Sequence, residues 1–362
     1  MNGISFAQML TRVDRCIRKE PLANNYTIEK EIGRGKFAVV KLVKDKQNNK
    51  QYAAKFIRKR RKGKCQRAAI LDELVVHEMA LNHSRLIHMY EVYETNHDII
   101  IIMEYAVGGE LFNHCAVDEP LTEKETQRLM RQILDGIAFL HDKNIVHLDI
   151  KPQNILLTKT APAHGDIKLC DFSFAKQVNQ GTDIRDILGT LDYVAPEILS
   201  YEPIKKATDM WSIGVLAYVM LTGHSPFLGE TKQETFLNIS QINVEYPDDL
   251  FKNISSNARD FIAKLLVKDP EDRPSATEML SHVWLKTDEL TTTTTQQQQQ
   301  ISSRLRSPCA SPIGCRRPMP KVTLVDKIDV TPSKKYRYSE EKIMERPING
   351  RCPLLVAPPS VA

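Results

Sequence analysis

Three polar side chains stand at short, fixed spacings in the segment HLDIKPQN, residues 147–154. Asp149 can accept a proton from a hydroxyl group, and Lys151 can neutralise a phosphoryl group during its transfer. Asn154, three residues further on, can ligate a metal ion through its amide oxygen. Because this order and spacing rarely arises by chance, the segment indicates phosphoryl transfer to a hydroxyl, with Asp149 and Lys151 as catalytic residues.

A second metal ligand is predicted at Asp171, which follows a short apolar strand in the segment KLCDFSFAK, residues 168–176. Carboxylate and amide oxygens are ligands that suit Mg²⁺ in proteins. Asp171 and Asn154 are therefore predicted to share magnesium, provided that the fold brings the two loops together.

Residues that could hold the phosphates of a nucleotide come earlier in the chain. Gly33 and Gly35 lie in IGRGKFAVV, residues 32–40, where a hairpin without Cβ atoms lets the backbone approach a phosphate. Alone, such a hairpin is usually only a turn. Lys55, in the strand-like segment AAKF, could equally reach toward solvent, but a counter-ion at Glu73 would hold it toward the α- and β-phosphates of a nucleotide.

These residues need a scaffold, which the apolar pattern from Tyr26 to Leu285 predicts. Five β-branched or aromatic runs indicate an antiparallel sheet; they are YTIEKEIG, AVVKLVK, QYAAKFI, MYEVYET and DIIIIMEY. One helix, which carries Glu73, interrupts them, and beyond Gly108-Gly109 the pattern becomes helical. The predicted fold class is α+β, with a small five-stranded lobe at residues 26–105 and a larger, mainly helical lobe at residues 106–285.

Together these motifs resemble the signature set of the eukaryotic protein kinases over residues 26–285. The segment GTLDYVAPE, residues 189–197, is similar to the end of the family's activation segment. Asp209 resembles the buried aspartate that holds the catalytic loop, and Arg273 resembles the arginine that pairs with the glutamate at position 197. The resemblance implies the two-lobed protein kinase fold, with ATP and Mg²⁺ as cofactors.

The resemblance also implies where the nucleotide binds. Met103 would lie at the back of the adenine pocket, and the backbones of Glu104 and Ala106 would hydrogen-bond the adenine. Apolar side chains would sandwich the ring, because a purine face needs contact area; they are Ile32, Val40, Ala53 and Leu156. Ala38 stands where the family's glycine-rich loop has its third glycine, a small residue that still admits a phosphate.

Thr190 would organise the catalytic loop together with Lys151. Its setting, a Gly-Thr-x-x-Tyr arrangement that begins at Gly189, is the serine/threonine type, so tyrosine is the less favoured acceptor. The resemblance thus implies a non-specific serine/threonine protein kinase.

Within the kinases, the chain resembles the death-associated protein kinase-related subfamily of the calcium/calmodulin kinase group. The resemblance is carried by segments such as RGKFAVVK, FIRKRRKGK, VHLDIKPQNILL and KQETFLNISQIN. It implies autophosphorylation, a positive role in apoptosis, and myosin regulatory light chain as a model substrate. No basic amphipathic helix of the calmodulin-target type follows Leu285, so no calmodulin site is expected.

Two charged features leave alternatives open. Glu110, in GGELF, could select arginine upstream of the acceptor serine, or it could be an acid at a helix N-terminus. The run RKRRKGK, residues 58–64, could be a solvated loop that contacts partners, as it does in this family, or a nuclear import signal. The expected location is accordingly the nucleus, the cytoplasm or both.

Two departures from the family pattern bear on regulation. Leu148 replaces the arginine that commonly precedes the catalytic aspartate and binds a phosphate on the activation loop. Loop phosphorylation is therefore not expected to be required. Ser173 replaces glycine after Asp171-Phe172; a Cβ there is expected to restrict rearrangement of the loop while leaving the metal ligand intact.

The flanks differ from the central region. Residues 1–25 are an N-terminal extension, and residues 286–362 form a low-complexity basic tail, predicted to be disordered. Residues 301–362 hold 12 Lys+Arg against 5 Asp+Glu, a net charge of +7, which leaves −2 for residues 1–300. The basic excess belongs to the tail, so no nucleic-acid partner is expected. Seven cysteines without paired spacing, no signal peptide and no long apolar run predict a soluble intracellular protein with reduced thiols.

Two other classes compete with this interpretation. A non-catalytic scaffold with a kinase fold would account for Ser173 and Ala38, but neither change removes a charged catalytic group. A kinase for small molecules would have no use for the peptide-platform segment at residues 189–197. Transfer of the γ-phosphate to a protein or a basic peptide discriminates among the three classes.

Overall fold

The computed structural model of the chain describes residues 6–35, 37–115, 120–179, 181 and 183–286. Its strands are β1 (Tyr26–Arg34), β2 (Ala38–Asp45), β3 (Gln51–Arg58), β4 (Arg60–Arg61), β5 (Lys64–Cys65), β6 (Met89–Glu94), β7 (Asp98–Met103), β8 (Gly109–Glu110), β9 (Ile145–Val146), β10 (Ile155–Leu157), β11 (Ile167–Leu169) and β12 (Lys176–Gln177). The tail predicted to be disordered, from residue 287 onward, lies outside the described residues.

The α-helices are fewer in the first half of the chain than in the second. They are α1 (Phe6–Cys16), α2 (Arg67–Ala80), α3 (Glu123–Asp142), α4 (Pro196–Leu199), α5 (Lys206–Thr222), α6 (Lys232–Gln241), α7 (Asp248–Phe251), α8 (Ser256–Leu265) and α9 (Ala276–Leu280). Among the described residues, no helix is both long enough and apolar enough to cross a membrane.

The five predicted β runs form one antiparallel sheet in the order β1-β2-β3-β7-β6, which confirms the small lobe. The register places Gly33 opposite Val40, Val40 opposite Lys55, and Lys55 opposite Ile101. Opposed residues of neighbouring strands point to the same face of a sheet. The glycine-rich hairpin and the lysine of the nucleotide site are thus brought together by strand pairing.

Helix α2 packs on one face of this sheet and carries Glu73. Its buried residues include Ile70, Leu74 and His77. They join β7, whose five residues from Ile99 to Met103 are buried, in the main apolar core. Burial on this side decides the direction in which Glu73 points.

Helix α1 lies in the N-terminal extension, for which the sequence reasoning predicted no element. Phe6, Met9, Leu10 and Val13 follow helical spacing and pack against the core, and Ile17 is buried just beyond the helix. Asp14 accepts a 2.5 Å hydrogen bond from Arg67 at the start of α2. The extension is therefore structurally part of the small lobe from Phe6 onward.

The larger lobe is built around α3 and α5. A capping box begins α3, where the Thr122 side chain and the Glu125 carboxylate each bind the other residue's backbone N–H. Nearly every residue of α5 is buried, including Trp211 and Asp209. A helix that is apolar on all sides belongs in a core, and α5 forms the centre against which the catalytic loop rests.

Candidate active site

Asp149 lies at the centre of a hydrogen-bond network in the larger lobe and is 3% exposed. Its Oδ1 accepts a 2.9 Å hydrogen bond from Thr190 Oγ1, and its Oδ2 accepts one of 2.8 Å from Asn154 Nδ2. Lys151 Nζ lies 3.2 Å from Oδ2 and donates to Thr190 Oγ1 at 2.7 Å. The four side chains predicted for catalysis and metal binding on this side of the cleft are in mutual contact.

The backbone that presents Asp149 is held by Asp209 from α5. The Asp209 carboxylate is fully buried and accepts hydrogen bonds from the amides of His147 and Leu148, at 2.8 and 2.9 Å. Leu148 has φ 66°, a conformation that a side chain with a Cβ rarely adopts without such support. The geometry agrees with the supporting role that the family resemblance implied for Asp209.

His141 completes this support and was missed by the sequence reasoning. Its Nε2 lies 2.9 Å from Asp209 Oδ2. His141 is at the end of α3, and nothing in its sequence neighbourhood distinguishes it from an ordinary buried histidine. Only the packing of α3 on α5 reveals the contact.

Asp171 and Asn154, the predicted metal ligands, lie in adjacent loops. The Cys170 amide, next to Asp171 in the chain, donates a 3.0 Å hydrogen bond to the Asn154 carbonyl. Asp171 has φ 63°, so its backbone is held in the left-handed region at the point where the loop turns into the cleft. One carboxylate and one amide suit Mg²⁺, which takes its remaining ligands from water and substrate phosphates.

Lys55 bridges the two lobes through its ammonium group. Its Nζ lies 2.6 Å from Glu73 Oε1 and 2.8 Å from Asp171 Oδ1, so the predicted pair with Glu73 is present and Asp171 is a second partner. Burial by itself lowers the pKa of Lys55, but attraction to Asp171 and then to Glu73 outweighs burial and raises it. Lys55 is therefore a permanent cation facing the phosphate side of the cleft.

The residues predicted to contact adenine line the two lobes around the crossing point of the chain. Ala53 pairs with Met103 across β3 and β7, and both are buried. The Glu104 amide donates to the His88 carbonyl at 2.9 Å, and Ala106 is 7% exposed. From the larger lobe, Leu156 on β10 is half-buried.

The glycine-rich hairpin forms the other side of the predicted nucleotide site. Gly35 donates to the Ala38 carbonyl at 3.0 Å and so closes a tight turn, while Lys36 within it lies outside the described residues. Ile32 is 38% exposed and Val40 is half-buried. The side chains of Ile32 and Val40 are therefore accessible to pack against the flat adenine ring.

The activation segment is anchored at both ends of GTLDYVAPE. Gly189 has φ 103°, and a Cβ at this position would stand 3.0 Å from the Leu148 carbonyl, so glycine allows Thr190 to reach Asp149. At the other end, Glu197 binds Arg273 through two hydrogen bonds of 2.8 Å, the pair that the resemblance implied. The peptide platform is thus fixed to the helical core.

Glu110 lies in the two-residue strand β8, where it pairs with Leu156, and only a short 3-10 turn, Leu111–His114, follows it. The predicted helix start is therefore a turn too short to hold a strong dipole, which weakens the helix-acid alternative. Glu110 is half-buried at the edge of the cleft.

The basic run at residues 58–64 extends from the last residue of β3 into a small hairpin formed by β4 and β5. Lys62 and Gly63 make its turn, with φ of 45° and 77°. Arg61 stacks on the Phe37 ring beside the glycine-rich turn, with its guanidinium carbon 3.9 Å from the ring centroid. Lys59 pairs with Glu94 at 2.9 Å. These two cations are engaged within the small lobe.

Ser173 is exposed in the turn after Phe172, where the Ala175 amide donates to the Phe172 carbonyl at 3.0 Å. It is not among the residues with positive φ. Serine therefore fits this arrangement without backbone strain, and the Asp171 carboxylate is in place beside it. The proposed restriction on loop rearrangement concerns other conformations and stays a prediction.

The fold and the site together define a class of protein. A family model described as protein kinase domain matches residues 26–285. Among solved structures, the chain resembles the twitchin kinase region of Caenorhabditis elegans with a TM-score of 0.68 and 30% identity, covering 80% of this chain and 52% of that one. The chain belongs to the protein kinase family, whose members use ATP and a divalent metal ion.

Comparison with curated relatives assigns the chain to a subfamily of the protein kinases. The chain is 54% identical over 281 residues to serine/threonine-protein kinase 17A of Oryctolagus cuniculus, covering 76% of this chain and 70% of that protein. It is 42% identical over 273 residues to death-associated protein kinase 2 of Mus musculus, covering 74% and 73%. The chain is a serine/threonine protein kinase of the death-associated protein kinase-related subfamily, as the sequence motifs indicated.

Leu148 leads to a prediction about regulation. Its side chain is 7% exposed and belongs to the apolar core, so the position offers no cation for a phosphate. We expect phosphatase-treated protein to keep at least about half of the turnover of mock-treated protein, because the catalytic loop is held by Asp209 instead. Initial rates of peptide phosphorylation, with phosphate removal verified by mass spectrometry, measure this. Loss of nearly all turnover on treatment would show that a phosphorylated loop is required.

Proposed function

We propose that this chain is an ATP- and Mg²⁺-dependent kinase that transfers the γ-phosphate to serine and threonine hydroxyls of proteins, including its own. The observation that carries the proposal is the convergence of Lys55, Asp171, Asn154 and Asp149 on one cleft between the lobes. All the charged groups required for phosphoryl transfer are present, which favours a catalyst over a non-catalytic scaffold.

The residues act on the reaction mainly through position and charge. Asp149 orients the acceptor hydroxyl and takes its proton as the oxygen bonds to the γ-phosphorus. The bond from that phosphorus to the β–γ bridging oxygen breaks, and ADP leaves with the electron pair. Lys151 neutralises the charge on the phosphoryl group, while Thr190 holds both Lys151 and Asp149.

The nucleotide would be held by the small lobe. Lys55, fixed by Glu73, presents its cation to the α- and β-phosphates, and the hairpin at Gly33 and Gly35 approaches them through its backbone. Asn154 and Asp171 would hold Mg²⁺, which when bound neutralises charge on the phosphates.

The protein substrates proposed carry serine or threonine near basic residues. Glu110 supports this, because a carboxylate at the cleft edge can pair with an arginine of the substrate. From the subfamily resemblance of the sequence motifs, we propose myosin regulatory light chain as a substrate and a positive role in apoptosis. We also propose action in the nucleus, the cytoplasm or both, as expected from the sequence. No calmodulin dependence is part of the proposal.

Transfer of labelled γ-phosphate from ATP tests the catalytic proposal. The full chain should label itself and a serine peptide with upstream arginines, and Lys55→Ala should lower the rate by about 100-fold or more because the phosphates lose their cation. Glu110→Gln should raise the KM for the arginine peptide several-fold and leave the KM for an alanine-substituted peptide unchanged. Absence of transfer by a folded parent chain would favour the scaffold, and transfer only to small molecules would favour the third class.

A further inference from the structure

The hairpin of β4 and β5 reaches the glycine-rich turn because of the place where β3 ends. Ala38, the first residue of β2, lies opposite Ile57 on β3, and β4 begins three residues after Ile57. The hairpin therefore leaves the sheet beside the turn that the Gly35 amide closes with the Ala38 carbonyl. Phe37 belongs to that turn, so its ring lies next to the hairpin.

The two residues of β4 differ in exposure, as expected for successive residues of a strand, which point to opposite faces. Arg60 is exposed, whereas Arg61 is half-buried. Arg61 places its guanidinium carbon 3.9 Å from the centroid of the Phe37 ring, and its Nη2 donates a 3.4 Å hydrogen bond to the Phe37 carbonyl. A single side chain thus contacts both the ring and the backbone of the turn.

The Phe37 ring is the main partner of the Arg61 guanidinium. Arg61 Nε is buried without a hydrogen-bond partner among the described residues, and the bond to the Phe37 carbonyl is longer than usual. Burial lowers the pKa of Arg61, and attraction to Glu73, which itself pairs with Lys55, offsets this only in part. Because cation–π attraction is strongest for a desolvated cation, and a planar guanidinium stacks well on a ring, the contact compensates for the hydration that Arg61 loses.

We propose that Arg61 is a positioning residue that holds the glycine-rich turn in place through Phe37. The backbone at Gly33 and Gly35 has to lie close to the phosphates of a bound nucleotide, and a turn that is already held loses less freedom on binding. Arg61 should therefore increase nucleotide affinity without changing the rate of transfer, because Asp149 and the groups bound to it lie in the larger lobe.

The inference rests on the proposed kinase function for its effect on nucleotide binding, whereas its effect on the turn is measurable in the free chain. In Arg61→Gln we expect amide hydrogen exchange over residues 33–41, without nucleotide, to become about 2- to 10-fold faster, because local opening becomes easier. The Kd for ADP with Mg²⁺, measured by calorimetry, should rise by about 3- to 10-fold. The KM for ATP should rise likewise, with kcat within about twofold of the parent value.

The role of the ring is tested by Phe37→Leu, which removes the ring and changes no charge. It should increase exchange and Kd about as much as Arg61→Gln does, which loss of a cation near the phosphates would not explain. The double variant should differ from either single variant by less than about twofold, since two residues that act through one contact are not additive. Arg61→Lys keeps the charge without the planar stack, and it should change both quantities in the same direction by a smaller factor.

Arg60→Gln is the matched control, because it makes the same chemical change one residue earlier, on the exposed side of β4. It should leave the exchange over residues 33–41 and the Kd for ADP unchanged. The proposal is overturned if folded Arg61→Gln and Arg61→Lys show the exchange of the parent chain, or if Arg60→Gln weakens binding equally. It is also overturned if the effects of Arg61→Gln and Phe37→Leu multiply in the double variant. Should the folded parent chain bind no ADP, the proposed function fails, and the exchange measurements still decide the role of Arg61.

Discussion

Replacement of Asp149 by Asn is expected to reduce kcat for peptide phosphorylation by about 10²- to 10⁴-fold, the range associated with loss of a general base. Asparagine keeps the size of the side chain and can still accept a hydrogen bond from Thr190, whose Oγ1 lies 2.9 Å from Asp149 Oδ1. It cannot take the proton of the acceptor hydroxyl. The loss should therefore appear in kcat, with ATP affinity within about threefold of the parent value, because the nucleotide contacts proposed here lie elsewhere.

Single-turnover kinetics and calorimetric titration with ATP measure the two quantities separately. Asp142→Asn is a matched control, since Asp142 is exposed at the end of α3 and the same chemical change there should leave both unaffected. Near-normal kcat in Asp149→Asn would refute the assignment of Asp149. A large loss of ATP affinity would instead show that the substitution disturbs the fold of the cleft.

The second large effect concerns stability, at the pair of Arg273 and Glu197. Both side chains are almost completely buried, at 0% and 1% exposure. The Arg273 guanidinium also donates to the carbonyls of Val267, Ala207 and Lys268, at 2.7, 3.0 and 3.0 Å, and lies 5.2 Å from the Trp211 ring centroid. Removing it leaves a buried carboxylate and three carbonyls without their donor.

We expect Arg273→Ala to lower the free energy of unfolding by about 3–5 kcal/mol, the cost typical of breaking one side of a buried pair. The fall in Tm, measured by differential scanning fluorimetry, should be about 6–20 °C for a domain of this size. Lys264→Ala is the control, because its pair with Asp260 is half-exposed and should contribute less than about 1 kcal/mol. A loss in Arg273→Ala no greater than in the control would contradict the structural role of the pair.

Much of the site was predictable because its residues are close in sequence as well as in space. The spacing within HLDIKPQN placed Asp149, Lys151 and Asn154 on one loop. In the structure Asn154 donates a hydrogen bond to Asp149, and Lys151 forms an ion pair with it. The presence of an antiparallel sheet was also predictable from five short runs with turn residues between them, whereas its strand order, with β7 between β3 and β6, was not predicted. Local pattern and turn chemistry are sufficient for such features.

Features that depend on distant contacts were not predictable in the same way. Helix α1 shows a helical apolar pattern. That it forms part of the small lobe is evident only from its packing on the core and from the hydrogen bond that Arg67 donates to Asp14. The contact of His141 with Asp209 joins residues 68 positions apart. Nothing local in sequence specifies which buried histidine meets which carboxylate.

By itself, the sequence determined the chemical groups available for phosphoryl transfer, their local spacing and the class of fold, because motif spacing and apolar periodicity are local properties of the chain. Tertiary structure alone decided that Lys55 meets Asp171 as well as Glu73, and that His77 closes on Phe172 without a polar partner among the described residues. These contacts arise where α2, the sheet and the loop after β11 are packed together. Which side chains are buried there, and which polar groups pair, depends on how these three elements pack together, because no single segment contains all the partners.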